Sequence, residues 1–481
     1  MNTRLLARGT LTGVLVSAAK LGLQLVAVPL MARLVGPADY GLFGLAMPVV
    51  SFCLLLAEGG FGISLAREPE ENKDVWSTAT LFLLAFGVGL CVVLIAWSFI
   101  QASLANQPKL PPILIVLSIC PILLALTVPP NARLIRQARI GMGSVLDLTA
   151  MLAGIGVAVG LAWSGAGVWG LVAQPVVYWT CKAILMNVVS PTIPQLRFAP
   201  KYLTPHLKAG GIILGAKFVE TGGRAIEASI ISRQLGAEML GAYTFAYQLP
   251  RFLTETLGNA LWSMLYVYTV RSESAGGLTK TYHLTLRVFA LAMFPAGTLM
   301  SVMAQPLLHG LLGTRWDAAV VVLQVLLISQ AFSSISGIAS AVLYGKGKPE
   351  IFLRIWTEGV ALRVLVVGTG SFGGLPWVAI GLGAVDLYLC LRAIFSLRVV
   401  IENCVQTAMR AILMPILLSA LSGVICWALG RSQIFDPFFP TLVVAVLCMA
   451  ISFLCYLLLL AAFERHKLIE EFQTIYQLLR R

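Results

Sequence analysis

The 481-residue chain is 58% hydrophobic and only 11% charged, with a mean hydropathy of +0.89, a composition typical of proteins embedded in a lipid bilayer. Its net charge is +13, but the cations lie mainly between apolar stretches, which favours a topology signal and argues against nucleic-acid binding. Nine cysteines and four histidines form no C-x-x-C or Cys/His cluster, and no P-loop or nucleophile–base pattern occurs, so the sequence predicts no metal site, no catalytic residue and no enzyme.

Fourteen apolar stretches follow one another along the chain, each near the length that crosses a bilayer as a helix. They lie at 9–32, 40–63, 76–100, 111–128, 145–163, 166–186, 209–232, 240–264, 284–305, 318–343, 352–370, 375–395, 411–429 and 438–462. The sequence therefore predicts an all-α polytopic membrane protein with about 14 transmembrane helices. The mixed-charge tail at 464–481 is predicted to lie at the membrane interface as an amphipathic segment.

An internal repeat appears when the sequence is compared with itself at an offset of 200 residues. The segment A-R-L-V-G-P-A-D-Y-G-L-F-G-L-A at 32–46 then aligns with S-R-Q-L-G-A-E-M-L-G-A-Y-T-F-A at 232–246. Five positions are identical, namely Gly22/Gly222, Arg33/Arg233, Gly36/Gly236, Gly41/Gly241 and Ala46/Ala246. Both segments fall on a short turn between two apolar stretches, which indicates a duplicated chain.

The repeat predicts the domain organisation. Six apolar stretches separate the two copies, so both begin on the same side of the membrane and form parallel repeats. We expect an N-terminal six-helix lobe over 1–205, a second six-helix lobe over 206–400, and two further helices with the tail over 401–481.

Charged residues inside apolar stretches are costly in a bilayer, so each one indicates a partner or a ligand. Counting about 1.5 Å per residue places four cations near the middle of the membrane. They are Lys20, Lys217, Arg251 and Arg363. Since a cationic surface suits an anionic group, these residues, with Arg224, are the predicted substrate-binding residues.

Acidic residues accompany these cations. Lys217, Glu220, Arg224 and Glu227 follow a 3–4–3 spacing and share one helical face, which favours ion pairs within the helix and excludes a lipid-facing position. Arg251 and Glu255 have the same i,i+4 spacing, and such pairs could serve the fold alone. Asp386 could neutralise Arg363 or act as a protonatable coupling site, and Glu58 could contact a gate.

The distribution of Lys and Arg also predicts orientation. Most of the loop cations lie on the side of the N-terminus, so the positive-inside rule places both termini in the cytoplasm. Anionic membrane lipids are natural partners of this basic face.

The segments A-R-L-V-G-P-A-D-Y-G-L-F-G-L-A, L-L-L-A-E-G-G-F-G, R-Q-L-G-A-E-M-L-G-A-Y-T-F-A-Y-Q-L-P, R-W-D-A-A and L-Y-G-K-G-K-P carry a resemblance over essentially the whole chain. It resembles the polysaccharide transporter family of bacterial lipid-linked oligosaccharide flippases, in the superfamily that also holds lipid II flippases and multidrug exporters. The resemblance implies a V-shaped pair of lobes in the inner membrane. It also implies alternating access, and a polyprenyl-pyrophosphate-linked oligosaccharide that moves from the cytoplasmic to the periplasmic leaflet for exopolysaccharide, O-antigen or capsule synthesis.

Further expectations follow from this resemblance. No cofactor is expected, although a transmembrane H⁺ or Na⁺ gradient could drive the cycle, and a polysaccharide polymerase and export machinery are candidate partners. Two alternatives stay open: a cation-coupled multidrug exporter, which should place acidic and aromatic groups in its cavity, and a membrane-embedded polysaccharide polymerase or glycosyltransferase.

Overall fold

The computed structural model describes residues 3–59, 61–66, 72–137, 139–192, 198–199, 203–271, 275–432 and 440–480. These residues form helices without a strand. The helices are α1 (Thr3–Val35), α2 (Pro37–Glu58), α3 (Phe61–Leu65), α4 (Lys73–Ala105), α5 (Leu110–Leu117), α6 (Cys120–Arg136), α7 (Ile140–Trp163), α8 (Val168–Val189), α9 (Leu203–Leu235), α10 (Ala237–Arg271), α11 (Ala275–Val302), α12 (Ala304–Leu312), α13 (Asp317–Gly345), α14 (Pro349–Gly370), α15 (Leu375–Ser396), α16 (Cys404–Arg431) and α17 (Thr441–Arg480).

The predicted all-α membrane fold is confirmed. Each apolar stretch overlaps a long helix; the second stretch also reaches α3 and the ninth α12, and the fourth comprises α5 and α6. A proline lies in the first turn of α6, where a missing N–H is harmless. Within the described residues, eleven helical segments are long and apolar enough to cross a membrane. The count of about fourteen is not confirmed, since α9, α10 and α14 are not among the eleven. α14 carries four charged residues, whereas the side chains of 203–218 in α9 and of 253, 255 and 256 in α10 lie outside the described residues.

The chain divides into two compact units, Met1–Thr244 and Phe245–Arg481. The first contains α1 to α9 and the first residues of α10, and the second contains the rest. In the second unit, buried apolar residues of α11, α13, α15 and α16 form the main core, with Phe289, Ala339 and Ala411 fully buried in it. The division of the chain into two six-helix lobes and a C-terminal pair stays a prediction.

The two copies of the turn identified in the sequence have the same backbone conformation, and both lie in the first unit. The turn between α1 and α2 is made by Gly36 with φ of 86°, and that between α9 and α10 by Gly236 with φ of 92°. Positive φ values favour glycine because it has no Cβ. The amide of Gly36 donates to the carbonyl of Ala32 at 3.1 Å, and that of Gly236 to the carbonyl of Ser232 at 3.0 Å. The predicted repeat therefore holds at the level of individual hydrogen bonds.

The two turns also contact one another within the first unit, through a reciprocal glycine contact. A Cβ added to Gly41 would lie 1.8 Å from the carbonyl oxygen of Ala237, and one added to Gly241 would lie 1.8 Å from that of Pro37. These are equivalent positions of the two copies, 37 with 237 and 41 with 241. Such pairing of each residue with the partner's counterpart is the property of a two-fold symmetric interface.

Small residues also allow α7 and α8 to approach closely. A Cβ on Gly154 would lie 2.8 Å from the carbonyl oxygen of Gln174, and one on Gly170 would lie 2.9 Å from that of Ala158. Close packing at small residues stabilises helix pairs in membranes, where no hydrophobic driving force acts between helices. The tight contact fixes the facing side chains of α7 and α8, which carry the candidate site.

Candidate functional site

The most concentrated group of charges in the described part of the first unit joins α1, α7 and α8. Asp147 of α7 forms an ion pair with Lys20 of α1 and accepts a 2.7 Å contact from the Nζ of Lys182 on α8. The hydroxyl of Tyr178, also on α8, donates to the same carboxylate at 2.5 Å. The Nζ of Lys182 also donates to the Tyr178 oxygen at 3.1 Å. We refer to these four residues as the Asp147 cluster.

The Asp147 cluster lies inside the apolar part of its helices. Asp147 is seven residues from the start of α7 and Lys182 seven residues from the end of α8, about 10 Å along each axis. Both positions lie within segments apolar enough to span a membrane. Because α7 and α8 follow one another across a short turn, the two side chains meet at the same depth.

The Asp147 cluster carries a surplus of positive charge. Two ammonium groups face one carboxylate, so the sum is +1. The side chains of Lys20, Asp147 and Lys182 are 25%, 22% and 16% exposed, which leaves them partly accessible. The Lys182 ammonium also lies 5.0 Å from the centre of the Trp179 ring, a distance at which the ring face attracts a cation. The cluster can therefore present positive charge to an anion while a carboxylate holds the cations in place.

The charges predicted on α9 form local contacts. The guanidinium of Arg224 donates to Glu220 at 2.9 Å, one helical turn away. Glu227 is 4% exposed and accepts a 3.3 Å hydrogen bond from the hydroxyl of Tyr243 on α10. Lys217 belongs to α9, but its side chain lies outside the described residues. Whether any of these residues contacts substrate stays a prediction.

The residues predicted in the second unit lie on α10, α14 and α15. Arg363 of α14 forms an ion pair with the fully buried Asp386 of α15. In this arrangement the cation neutralises a carboxylate that the bilayer would otherwise expel. Arg251 directly follows a proline within α10, and the side chain of Glu255 lies outside the described residues. Glu58 is the exposed last residue of α2, and its role at a gate stays a prediction.

Several charged groups that the structure brings together were not predicted. Asp147 and Lys182 lie within predicted apolar stretches, so the criterion that identified Lys20 also applies to them. Arg287 of α11 and Glu464 of α17 form an ion pair with both side chains almost fully buried. They lie 177 residues apart, and no local spacing indicates such a pair.

The sequence profile of a family described as polysaccharide biosynthesis protein matches residues 30–321, which is more than half of the chain. The sequence is 21% identical to the lipopolysaccharide biosynthesis protein WzxC of Escherichia coli, over 85% of this chain and 84% of that protein. It is 23% identical to the succinoglycan biosynthesis transport protein ExoT of Rhizobium meliloti, over 81% of this chain and 78% of that protein.

A solved structure shares the fold. The lipid II flippase MurJ, in an inward closed conformation, superimposes with a TM-score of 0.76 over 95% of this chain and 99% of its own. The sequence identity is 13%, so this likeness shows the fold alone. The resemblance inferred from the sequence is confirmed by these comparisons.

Proposed function

We propose, from the premise that the chain belongs to the polysaccharide biosynthesis protein family, that it is a flippase for a polyprenyl-pyrophosphate-linked oligosaccharide. The substrate moves from the cytoplasmic to the periplasmic leaflet of the bacterial inner membrane by alternating access. The chain is a transporter and not an enzyme, as its relatives indicate. The translocated glycan then serves extracellular polysaccharide synthesis, with a polymerase and export machinery as downstream partners.

The observation that carries this proposal is the surplus positive charge of the Asp147 cluster inside a membrane-spanning bundle. A diphosphate and several sugars cannot enter hydrocarbon unaided, because the loss of hydration around charges and hydroxyls is prohibitive. Two ammonium groups supply several N–H donors to the phosphate oxygens in place of water. A site for drug cations would need the opposite sign of charge, which argues against the multidrug exporter.

Asp147 supplies a partner for the cations of the cluster. Its carboxylate accepts from Lys20, Lys182 and Tyr178, so both ammonium groups of the Asp147 cluster are neutralised in part within the membrane. A bound diphosphate competes with the carboxylate for the same ammonium groups. After the diphosphate is released, the ammonium groups pair with the carboxylate again. The exchange keeps binding weak enough for turnover, which a transport site requires. A transmembrane H⁺ or Na⁺ gradient is the proposed source of energy.

The test measures the sidedness of the glycan-lipid in cells. Intact spheroplasts of a strain that lacks the gene are probed with a sugar-binding reagent that cannot cross the membrane. We expect full-length glycan-lipid to accumulate out of reach of the reagent, and the native gene to restore its labelling. Glycan-lipid that still reaches the outer leaflet without being polymerised would contradict the proposal in favour of an enzyme. Normal glycan with altered drug sensitivity would contradict it in favour of a drug exporter.

Two single substitutions test the site itself. Lys20→Met and Lys182→Met each leave one ammonium to balance Asp147, so the cluster becomes neutral and no buried charge loses its last partner. We expect both variants to insert normally and to lose most of their export. Lys109→Ala removes an exposed lysine that lies between α4 and α5 and serves as the matched control. Full complementation by both cluster variants at native expression level would show that the surplus charge does not act on substrate.

A further inference from the structure

A cavity of about 1200 Å³ lies in the second unit, and its described lining contains none of the site residues predicted from the sequence. Its described walls come from α11, from residues 397–403 between α15 and α16, from the first half of α16, and from α17. A cavity of this size can hold a molecule larger than a drug. The cavity lies at the end of the unit that the distribution of Lys and Arg assigns to the cytoplasm.

One end of the cavity is cationic. Arg398 and Arg410 line it and are exposed, and neither has an ion-pair partner among the described residues. The guanidinium of Arg398 is held 3.9 Å from the centre of the Phe395 ring. Among the described lining residues, Glu402 is the acidic residue outside the Arg287–Glu464 ion pair, so two guanidinium groups outweigh one carboxylate there. Asn403 lines the cavity and directly precedes the first residue of α16, and the start of a helix adds positive potential at this end.

The buried ion pair does not cancel this charge. Arg287 and Glu464 also line the cavity, but each is almost fully buried and they neutralise one another. Their pairing fixes α17 against α11. The charge available to a ligand therefore comes from Arg398, Arg410 and the helix start.

The other end of the cavity is apolar and follows one face of α16. Gln406, Arg410, Leu413 and Leu417 all line the cavity, and their spacing of four, three and four residues places them on one side of the helix. Leu413 and Leu417 are 51% and 55% exposed. From Arg410 to Leu417 the helix rises about 10 Å, so the lining changes from cationic to apolar along the membrane direction.

We propose that this cavity binds an anionic phospholipid of the cytoplasmic leaflet. Arg398, Arg410 and the start of α16 hold the headgroup phosphate, and one acyl chain lies along Leu413 and Leu417. Guanidinium groups and helix starts both bind phosphate oxygens, and anionic lipids are concentrated where basic segments meet the cytoplasmic leaflet. The proposal does not depend on the glycan that the protein moves.

The test uses native mass spectrometry of the purified full-length protein. Delipidated protein is titrated with phosphatidylglycerol and, separately, with phosphatidylcholine of the same acyl chains. We expect tight adducts with phosphatidylglycerol only, and about a tenfold loss of affinity in the double variant R398Q/R410Q, as is typical when charge-assisted contacts to a phosphate are removed. Arg431→Gln is the matched control, because Arg431 lies at the opposite end of α16 and packs on Trp427 at 5.3 Å.

A second variant keeps the test decisive if the double variant does not fold. Gln406→Glu adds one negative charge to the cavity at an exposed position in the first turn of α16, where an acidic residue stabilises the helix. It should weaken phosphatidylglycerol binding while the protein stays folded. Unchanged adducts in either folded variant, or equal loss in Arg431→Gln, would overturn the proposal. So would displacement of the lipid by inorganic phosphate, or preferential binding of a polyprenyl phosphate, which would identify a free anion or the substrate's own lipid as the occupant.

Discussion

Replacement of Asp147 by Asn raises the positive charge of the Asp147 cluster, whereas Lys20→Met and Lys182→Met lower it. The amide retains the shape of the side chain and an oxygen that can accept from Tyr178, but it removes the only negative charge of the Asp147 cluster. The sum of charges then rises from +1 to +2. If Asp147 competes with a bound diphosphate, its loss should strengthen binding and slow release. We therefore expect Asp147→Asn to bind diphosphate more tightly and to export less.

The expected size follows from Coulomb's law. The side chain of Asp147 is 22% exposed, so an effective dielectric constant near 20 is appropriate. A carboxylate about 6 Å from one phosphate charge then opposes binding by about 3 kcal/mol, which corresponds to roughly a hundredfold in affinity. Salt screens part of this repulsion. A gain of about tenfold in affinity is therefore the expected result at physiological ionic strength.

Two measurements on the same variant check the prediction. Isothermal titration calorimetry of purified protein with geranyl pyrophosphate gives the affinity, and labelling of glycan-lipid on spheroplasts gives export. Asp317→Asn, which removes a carboxylate with a side-chain exposure of 60% elsewhere in the chain, is the control and should change neither. Weaker or unchanged diphosphate binding by a folded Asp147→Asn variant would refute the competition between carboxylate and diphosphate.

Three further predictions concern the fold. Gly41→Ala should lower the melting temperature and the folded yield, since its Cβ would lie 1.8 Å from a backbone oxygen; Gly22→Ala, with no atom within 4 Å of the added Cβ, should be neutral or stabilising. Arg287→Met should destabilise by about 3–5 kcal/mol because it removes the guanidinium that pairs with the buried Glu464. The double variant Arg287→Met/Glu464→Leu should recover most of that loss in thermal unfolding. Asp39→Ala should cost about 1 kcal/mol, measured in the same way, because its carboxylate accepts a 3.1 Å hydrogen bond from the first amide of α8.

The fold could be predicted from the sequence because its two strongest signals are local. Apolar runs of bilayer length define the long helices, and the glycines at 36 and 236 mark turns that only a residue without a Cβ forms easily. The same reasoning could not give the number of membrane spans. α14 is as long as the apolar helices, but Glu350, Arg354, Glu358 and Arg363 interrupt its apolar sequence.

The candidate site could be predicted only in part. Lys20 was identified because a cation within an apolar stretch is conspicuous, but its partner Asp147 lies 127 residues away. Partners at that separation depend on which helices pack together, and a single sequence does not contain that information. By contrast, Glu220 and Arg224 lie one helical turn apart, so their contact follows from the helix itself.

The reciprocal glycine contact has a consequence for the history of the chain. Before a duplication and fusion, such a contact would have joined two identical short chains as a homodimer, and every mutation would have acted at two places at once. Fusion removes that constraint, so each copy can then change alone. Gly44 and Thr244, which are equivalent positions of the two copies, show such a difference. A Cβ on Gly44 would lie 2.5 Å from the hydroxyl oxygen of Thr244, so the threonine side chain of one copy occupies the space that a side chain at the glycine of the other copy would need. At this position the two copies of the turn are complementary, because the glycine of one copy accommodates the threonine of the other.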